Sequence, residues 1–347
     1  MLNFLHSFIY FITLPLRRVS VDVVFYAPTH FNRGEKNENL LFEPLFKACR
    51  NNDISFIVFE EPSSSSNQLR NNKYIPFDFM YYLIVLFRKL FRNEKDIIVI
   101  ENKIGIFFSK TFFCNFKYKN YIVLSKSMIS VFSSINKDAK LFDLQHGIIH
   151  TNKSDYFTDN IISPHLTKNK VSLLLSGIGF KNLLLKNSDC DFIKNYASVI
   201  GVNKEKLIYH DFPNKNILVS LQFTEDHTQS QNNSLLEELL VFTGKHKDFT
   251  FYLRNHPRFN NEVDLSVLFE KENTELAPLL LSDCFKMCSI HITAYSTTAF
   301  ECANFGIPTI FLNPLKEDFN MFETDFCYPL KNDLNYIEQH YLECSDL

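Results

Sequence analysis

Short apolar segments rich in β-branched residues alternate with segments of helical periodicity along most of this chain, and this alternation constrains the fold more than any other feature. Strands separated by helices form a mostly parallel sheet, because a parallel connection needs a crossover and the crossover is usually a helix. The predicted strands are residues 21–26, 54–59, 96–100, 121–124, 141–144, 172–175, 217–221, 249–253, 290–293 and 308–312. The predicted helices include residues 39–49, 126–135, 234–242, 276–287 and 298–304.

A polar, turn-rich stretch at residues 201–216 interrupts the alternation and is typical of a linker between domains. The chain has 347 residues, which is long enough for two domains with separate cores. We therefore predict two Rossmann-like α/β domains, residues 1–203 and 214–330, followed by a C-terminal helix at 331–347. Open parallel sheets bind ligands beyond the carboxyl ends of their strands, so we expect both sheets to face an interdomain cleft.

Composition excludes several classes of function. The formal net charge of -3 is not that of a nucleic-acid-binding protein. Eight cysteines without a CxxC pair are typical of reduced, mostly buried thiols, which indicates a cytoplasmic location. Cys284 and Cys288 are close in sequence, but no second pair of cysteines or histidines completes a zinc site.

No motif in the sequence calls for a cofactor. The chain has 8 glycines, and Gly177-Ile178-Gly179 lacks the third glycine of a dinucleotide-binding fingerprint. Asp189-Cys190-Asp191 has the spacing of an acidic metal-binding motif, but it follows a lysine-rich helical segment instead of a strand. We therefore expect neither a dinucleotide cofactor nor a metal.

The N-terminal segment, residues 2–16, is apolar and is followed by Arg17 and Arg18. It is shorter than the roughly 20 residues of a spanning helix, and it lacks the basic start and cleavage site of a signal peptide. Either it is an interfacial helix whose arginines meet anionic lipid on the cytoplasmic face of the inner membrane, or it packs on its own domain. Residues 77–92 are also apolar with a basic end, and a buried helix is the favoured interpretation there.

Polar residues follow the predicted strands of the first domain. They are His30 in "APTHFNRGEKN", the neighbours Glu60 and Glu61, Glu101, and the sequence Gln145-His146-Gly147. Carboxylates, amides and imidazoles at one edge of a sheet suit the binding and deprotonation of a sugar hydroxyl. For the glutamates, a solvated loop is the plain alternative. His146 is the stronger candidate, because it lies between a buried strand and a glycine that permits a close approach.

Cationic and hydroxyl groups follow the predicted strands of the second domain. In "RNHPR", His256 lies between Arg254 and Arg258, and such a loop suits a phosphate or a carboxylate or is simply a surface loop. The residues Ser296, Thr297 and Thr298 open a predicted helix, whose free N–H groups form an anion site that needs no glycine loop. Glu301 either completes a capping box with Thr298 or faces the cleft and binds ribose hydroxyls.

Three segments resemble bacterial glycosyltransferases of the GT-B fold that build capsule and lipopolysaccharide. "SDCFKMCSIHITAYSTTAFECANFGIPTIFL" is similar to their donor-site strand–helix–strand, and "LRNHPR" to their His-Pro motif. "DLQHGIIH" resembles a Gln-His-Gly motif of a subset, followed by Tyr156 and later by "VIG". The resemblance spans residues 140–315, roughly; before that it is one of architecture only.

The resemblance implies a metal-independent enzyme that transfers a sugar from a nucleotide-sugar donor to a glycan or glycolipid acceptor. The His-Pro motif and the hydroxyl cluster favour a CMP-linked acidic sugar such as sialic acid or Kdo, with His256 on the donor phosphate and Ser296 and Thr297 assisting. The acidic motif of sialyltransferases is missing, which leaves the base and the sugar open. The alternatives are a CDP-glycerol-type glycerophosphotransferase, a nucleotide-sugar epimerase, and a non-catalytic membrane-associated scaffold.

Gln145, His146 and Gly147 are then expected on the acceptor side of the cleft, with His30, Glu60 and Glu101. We expect His146 to be the general base, because an imidazole with a pKa near neutrality can accept a hydroxyl proton. Asp143 either orients this histidine or points to the other face of its strand.

Overall fold

A computed structural model describes residues 2–33, 37–62, 70–91, 93–124, 126, 128–151, 153–159, 161–187, 190–201, 214–224, 227–256, 259 and 263–312. The chain divides into two compact units, Met1–Val202 and Asn203–Leu347. Most of the predicted linker and the whole predicted C-terminal helix lie outside the described residues.

The first unit contains a seven-stranded parallel sheet in the order β11-β10-β7-β6-β1-β4-β5. The strands of this unit are β1 (Val19–Ala27), β2 (Asn32–Arg33), β3 (Glu38–Asn39), β4 (Phe56–Glu60), β5 (Ile75–Pro76), β6 (Phe116–Leu124), β7 (Lys140–Leu144), β8 (Phe157–Thr158), β9 (Ile161–Ile162), β10 (Ser172–Leu175) and β11 (Ala197–Val199). The helices are α1 (Leu2–Thr13), α2 (Glu43–Asn51), α3 (Asp78–Leu90), α4 (Ile97–Lys110), α5 (Ile129–Ile135), α6 (Pro164–Lys168), α7 (Ile178–Lys186) and α8 (Cys190–Tyr196). The pairs β2–β3 and β8–β9 are small antiparallel additions.

Phenylalanine rings fill the core on one face of this sheet. Phe11 from α1 lies 5.4 Å, centroid to centroid, from both Phe59 of β4 and Phe77. Phe132 of α5 stacks on Tyr121 of β6 at 4.2 Å. Edge-to-face and offset contacts of this kind stabilise by about 0.5–1.5 kcal/mol beyond the area that they bury. The chain therefore uses many of its 37 phenylalanines to hold α1, α5 and the sheet together.

The predicted strand at residues 96–100 is wrong, because this segment begins helix α4. Asp96 is the N-cap residue, and its carboxylate accepts a hydrogen bond from the Ile98 N–H at 2.9 Å. A short apolar run cannot be told from a buried helix by periodicity alone, and here the capping aspartate decides the outcome. Glu101 consequently lies inside a helix and not at the end of a strand.

The second unit contains a five-stranded parallel sheet in the order β14-β13-β12-β15-β16. Its strands are β12 (Asn216–Ser220), β13 (Thr250–Arg254), β14 (Thr274–Leu276), β15 (Ile290–Thr293) and β16 (Thr309–Phe311). Its helices are α9 (Gln229–Lys245), α10 (Ser266–Phe269), α11 (Leu281–Met287) and α12 (Thr298–Asn304). Thr228 and Gln231 form a capping box that starts α9. The predicted helix at 276–287 begins later, since β14 occupies Leu276 and Pro278 follows it.

A buried histidine links three strands of this second sheet. The Nδ1 and Nε2 atoms of His291 lie 3.0 and 2.9 Å from the hydroxyl oxygens of Thr309 and Ser220. Burial lowers the pKa of His291 to about 3, so the imidazole is neutral at physiological pH. This histidine satisfies polar groups inside the sheet and is a structural residue.

Candidate active site

A buried carboxylate marks the carboxyl end of β7. Asp143 is 2% exposed, and its Oδ2 accepts a hydrogen bond of 2.9 Å from the hydroxyl of the fully buried Tyr156. Desolvation raises the pKa of Asp143 to about 7, and the bond from Tyr156 opposes that rise. Its Oδ1 has no hydrogen-bond partner among the described residues. A carboxyl group that titrates near neutrality is therefore fixed beneath the loop that follows β7.

His146 is paired with a carboxylate that the sequence analysis did not select. Its Nε2 lies 3.8 Å from Oδ2 of Asp155, and the side chains are 10% and 25% exposed, so solvent reaches both. The Phe31 ring meets the imidazole edge-on at 5.1 Å and fixes its plane. Lys153 lies 5.9 Å from the centroid of the Tyr156 ring. Desolvation lowers the pKa of Lys153, against the nearby charges of Asp155 and Asp143.

The residues on either side of His146 shape this loop. The Gln145 Oε1 accepts the Ser176 N–H at 2.9 Å, and its Nε2 donates to the Gly147 carbonyl at 2.7 Å. Gln145 thereby ties the end of β7 to the end of β10. Gly147 has a φ of +108°, which favours glycine, and a Cβ there would lie 3.8 Å from Nζ of Lys153. Gln145 and Gly147 thus fix the backbone on either side of His146.

Two predicted acceptor-side glutamates are committed to structural contacts. Glu60 is 1% exposed, and it accepts hydrogen bonds from Arg70 at 2.7 Å and from the Asn71 N–H at 3.0 Å. Glu101 is also buried and receives a hydrogen bond from Arg88. The backbone of His30 belongs to a 3₁₀ turn after β1, and its side chain lies outside the described residues.

In the second unit, Arg254 is the last residue of β13. Its Nη1 donates to the carbonyls of Pro278 and Leu279 at 3.0 and 2.8 Å, so it fixes the loop before α11. Desolvation raises the pKa of Glu301, and the charge of Arg254 opposes this rise. Arg258 lies outside the described residues. His256 follows two residues after Arg254 and accepts a backbone hydrogen bond from Phe259.

The hydroxyl cluster before α12 forms a turn of its own. The Ser296 hydroxyl donates to Thr298 Oγ1 at 2.9 Å and accepts the Thr298 N–H at 3.2 Å. Thr297 is the N-cap residue and makes no capping bond with its side chain, so the capping box of Thr298 with Glu301, one of the two alternatives for Glu301, is not formed. A capping box with Thr298 as the N-cap would start the helix at Ala299. Helix α12 starts one residue earlier, because the Ser296 hydroxyl accepts a hydrogen bond from the Thr298 N–H.

A histidine–tyrosine pair, which the sequence analysis missed, lies at the same edge of the second sheet. His227 follows β12 and Tyr295 follows β15, and these strands are neighbours. The Tyr295 hydroxyl lies 3.1 Å from His227 Nδ1, and the rings meet edge-on at 5.0 Å. Both residues lie in polar loops. Nothing in the sequence indicates that they pair, because only the order of strands in the sheet makes β12 and β15 neighbours.

Neither a metal cluster nor a membrane span is found in the described part of the chain. No three histidine, cysteine, aspartate or glutamate side chains there could jointly hold a metal ion. Cys284 and Cys288 are buried free thiols, and Asp189 lies outside the described residues. None of the described helices combines the length and the hydropathy needed to cross a bilayer.

No protein-family profile and no curated protein matches the sequence. Solved structures do match. The wall teichoic acid polymerase TagF, soaked with CDPG, has a TM-score of 0.52 and 12% identity over 98% of this chain and 86% of that chain. The UDP-GlcNAc 2-epimerase from Neisseria meningitidis, bound to UDP-GlcNAc, has a TM-score of 0.55 and 14% identity over 94% of this chain and 92% of that chain.

The corresponding epimerase from Methanocaldococcus jannaschii, in complex with UDP-GlcNAc and UDP, has a TM-score of 0.51 and 13% identity over 94% of this chain and 92% of that chain. At these identities the likeness establishes the fold alone. The two units are Rossmann-like α/β domains, and the chain has the GT-B fold of these enzymes.

Proposed function

We propose that this protein is a glycosyltransferase that transfers a sugar from a nucleotide donor to a bacterial surface glycan or glycolipid. The observation that carries the proposal is the group of ionisable residues at the end of β7, where His146, Asp155, Lys153 and Asp143 surround a glycine turn. Open parallel sheets bind ligands at this edge, and a fixed imidazole–carboxylate pair suits proton transfer.

In the proposed reaction, His146 accepts the proton of an acceptor hydroxyl, and the Asp155 carboxylate stabilises the imidazolium that results. The acceptor oxygen forms a bond to the anomeric carbon as the bond from that carbon to the donor phosphate oxygen breaks. The nucleotide leaves with the electron pair. His256 and Arg258 are the proposed phosphate contacts, with the Ser296–Thr298 hydroxyls and Glu301 beside them, and Arg254 positions the neighbouring loop.

We place a CMP-linked acidic sugar first among donors, because the His-Pro motif and hydroxyl cluster resemble those of enzymes that use such sugars. Two other reactions are supported by the fold matches. TagF favours a CDP-glycerol-type glycerophosphotransferase, and the epimerases favour a nucleotide-sugar epimerase. An epimerase changes its nucleotide sugar without an acceptor, so product analysis with the donor alone separates it from a transferase.

Thermal unfolding with CMP, CDP, UDP and GDP tests the proposal. A nucleotide present at 100 times its Kd stabilises the folded state by about 2.7 kcal/mol, and we expect one of the four to raise the Tm by a few degrees. His256→Ala should abolish that shift, whereas His246→Ala, at the end of α9, should keep it. The absence of a shift with every nucleotide would contradict the enzyme and favour a scaffold.

We also propose that the protein is cytoplasmic and contacts the inner membrane through α1. One side of α1 packs on the unit, with Ser7 and Phe11 fully buried. The other side exposes the large apolar side chains Leu2, Leu5, Ile9 and Ile12, while Phe4 and Phe8 contact the Phe79 ring and remain 41% and 40% exposed. Leu16 is 85% exposed and precedes Arg17 and Arg18, an arrangement that suits insertion into an anionic interface.

A further inference from the structure

A second polar cluster lies in the first unit, apart from the β7 loop. Arg88 of α3 donates a hydrogen bond to Glu101 of α4, whose Oε2 lies 3.8 Å from Nδ1 of His165 in α6. The same nitrogen lies 3.3 Å from the hydroxyl of Ser130, which accepts a hydrogen bond of 3.0 Å from Asn169. Ser130 belongs to α5, which follows the carboxyl end of β6, so the cluster lies at the ligand-binding edge of the sheet.

Two buried donors in this region have no hydrogen-bond partner among the described residues. They are the Tyr26 hydroxyl and Nε of Arg88. Tyr26 is fully buried one residue before the end of β1, and its ring packs edge-on against Phe77 at 5.4 Å. A buried donor without a partner costs about 1–3 kcal/mol, so two in one cluster indicate that something else accepts their hydrogen bonds.

Glu61 supplies an acceptor in the same region. Its backbone N–H bonds to the carbonyl of Ala27 at 3.0 Å, which places Glu61 beside the end of β1. The Glu61 charge acts on Tyr26 and on Tyr81, and the Arg88 charge acts on Glu61. Burial raises the pKa of Glu61 to about 7, and Arg88 opposes that rise. The Tyr26 hydroxyl and the half-buried Glu61 carboxyl group thus lie at the ends of β1 and β4, and the charge of Arg88 in α3 acts on both.

We propose that Tyr26, Glu61 and Arg88 bind an uncharged, hydroxyl-bearing part of the acceptor, a sugar ring or a glycerol unit. One hydroxyl can accept a hydrogen bond from Tyr26 or Arg88 and donate its own to Glu61. A strongly charged ligand fits less well, because Glu101 already pairs with Arg88. This proposal depends on the proposed function in one respect, namely that the first unit binds the acceptor.

Ligand-observed NMR titration of the full chain with glycerol and with N-acetylglucosamine tests this site. We expect saturable binding of at least one probe to the wild type and at least about tenfold weaker binding to Tyr26→Phe and to Glu61→Gln. Tyr82→Phe removes an exposed hydroxyl from α3 and should bind like the wild type. Tyr26→Phe should keep or raise the Tm, because it removes a buried hydroxyl that lacks a partner, so weaker binding would not reflect misfolding.

The proposal is overturned if neither probe saturates, or if Tyr26→Phe and Glu61→Gln both bind as the wild type does. Water would then be the partner of the two donors. Nucleotide binding, measured on the same samples, reports on the proposed function separately. Sugar binding that depends on Tyr26, without binding of any nucleotide, would keep this site and discard the glycosyltransferase.

Discussion

At the scale of single residues, neighbouring positions in the sequence have different tasks. Glu60 ends β4 and Glu61 follows it, yet Glu60 is paired with Arg70, while Glu61 lies beside the end of β1, where its charge acts on the buried Tyr26. The residue types predicted a polar end to the strand. They could not predict which of the two carboxylates would form an ion pair with an arginine. That choice depends on Arg70, which is ten residues away in the chain.

The pKa of Asp143 makes stability depend on pH in a defined direction. The unfolded chain loses this proton near pH 4, whereas the folded chain keeps it to about pH 7. The folded state therefore binds more protons in this interval, and the free energy of unfolding falls as the pH rises from about 4 to 7. Asp143→Asn lacks this titration.

We expect the stability of the wild type to fall relative to that of Asp143→Asn by on the order of 2–4 kcal/mol between pH 4 and pH 8. Urea unfolding at a series of pH values measures the difference. The control Asp138→Asn alters an exposed carboxylate beyond the opposite end of β7 and should run parallel to the wild type. Parallel curves for Asp143→Asn would contradict the raised pKa.

His146 and Asp155 should contribute unequally to turnover. We expect His146→Ala to lower kcat by about 100-fold or more, because a general base contributes roughly 10²–10⁴-fold. Asp155→Asn leaves the imidazole in place, and a loss of about tenfold is expected because the imidazolium loses its counter-charge. Steady-state kinetics with the nucleotide sugar that binds best measures both. A kcat within twofold of the wild type for His146→Ala would exclude it as the base.

At the scale of elements, α1 packs on its own domain, which is one of the two alternatives that the sequence left open. Ser7 accepts a hydrogen bond of 3.0 Å from the Phe79 N–H, and Phe8 meets the ring of Phe79 edge-on at 5.1 Å, so the helix packs on α3. Its outer side remains apolar and exposed, with Leu5 and Ile9 at 53% and 51%. A helix that only covered its own domain would carry polar residues there.

Vesicle sedimentation tests the outer side of α1. We expect the wild type to sediment with vesicles that contain anionic phospholipid and much less with neutral ones. Leu5→Asp combined with Ile9→Asp should reduce the bound fraction severalfold, whereas Lys137→Asp, on the exposed loop before β7, should have little effect. Unchanged binding of the double variant would contradict a role for α1 at the membrane.

Elements also show where periodicity fails. Residues 96–100 are as apolar as a central strand, but a capping aspartate and the packing of α4 on α5 make them a helix. The edge strands β5, β11 and β14 have two or three residues each, and such strands carry too few side chains for a pattern. Apart from α4, the long strands and long helices were predictable, with shifts of a few residues at their ends.

At the scale of the whole molecule, the two parallel sheets carry different side chains at the carboxyl ends of their strands. The edge of the first sheet carries carboxylates, an imidazole and a lysine, and that of the second carries Arg254, His256 and hydroxyls. A fold shared with a polymerase and with epimerases permits more than one reaction on a nucleotide-linked substrate. The side chains at these edges, rather than the fold, must select among them.

The sequence by itself determined the alternation of strands and helices, the two-domain division and the motif around His146, because these depend on local periodicity and residue type. The sequence also indicated that the short turn after His146 needs a glycine, and Gly147 has a positive φ there. Only the tertiary structure brought Asp155 to His146, Tyr156 to Asp143, and Glu61 to Tyr26 and Arg88. Asp155 and Tyr156 belong to the same segment between β7 and β8 as His146, whereas Arg88 belongs to α3. Which of these side chains meet depends on how that segment folds back and how α3 packs, which no local pattern encodes.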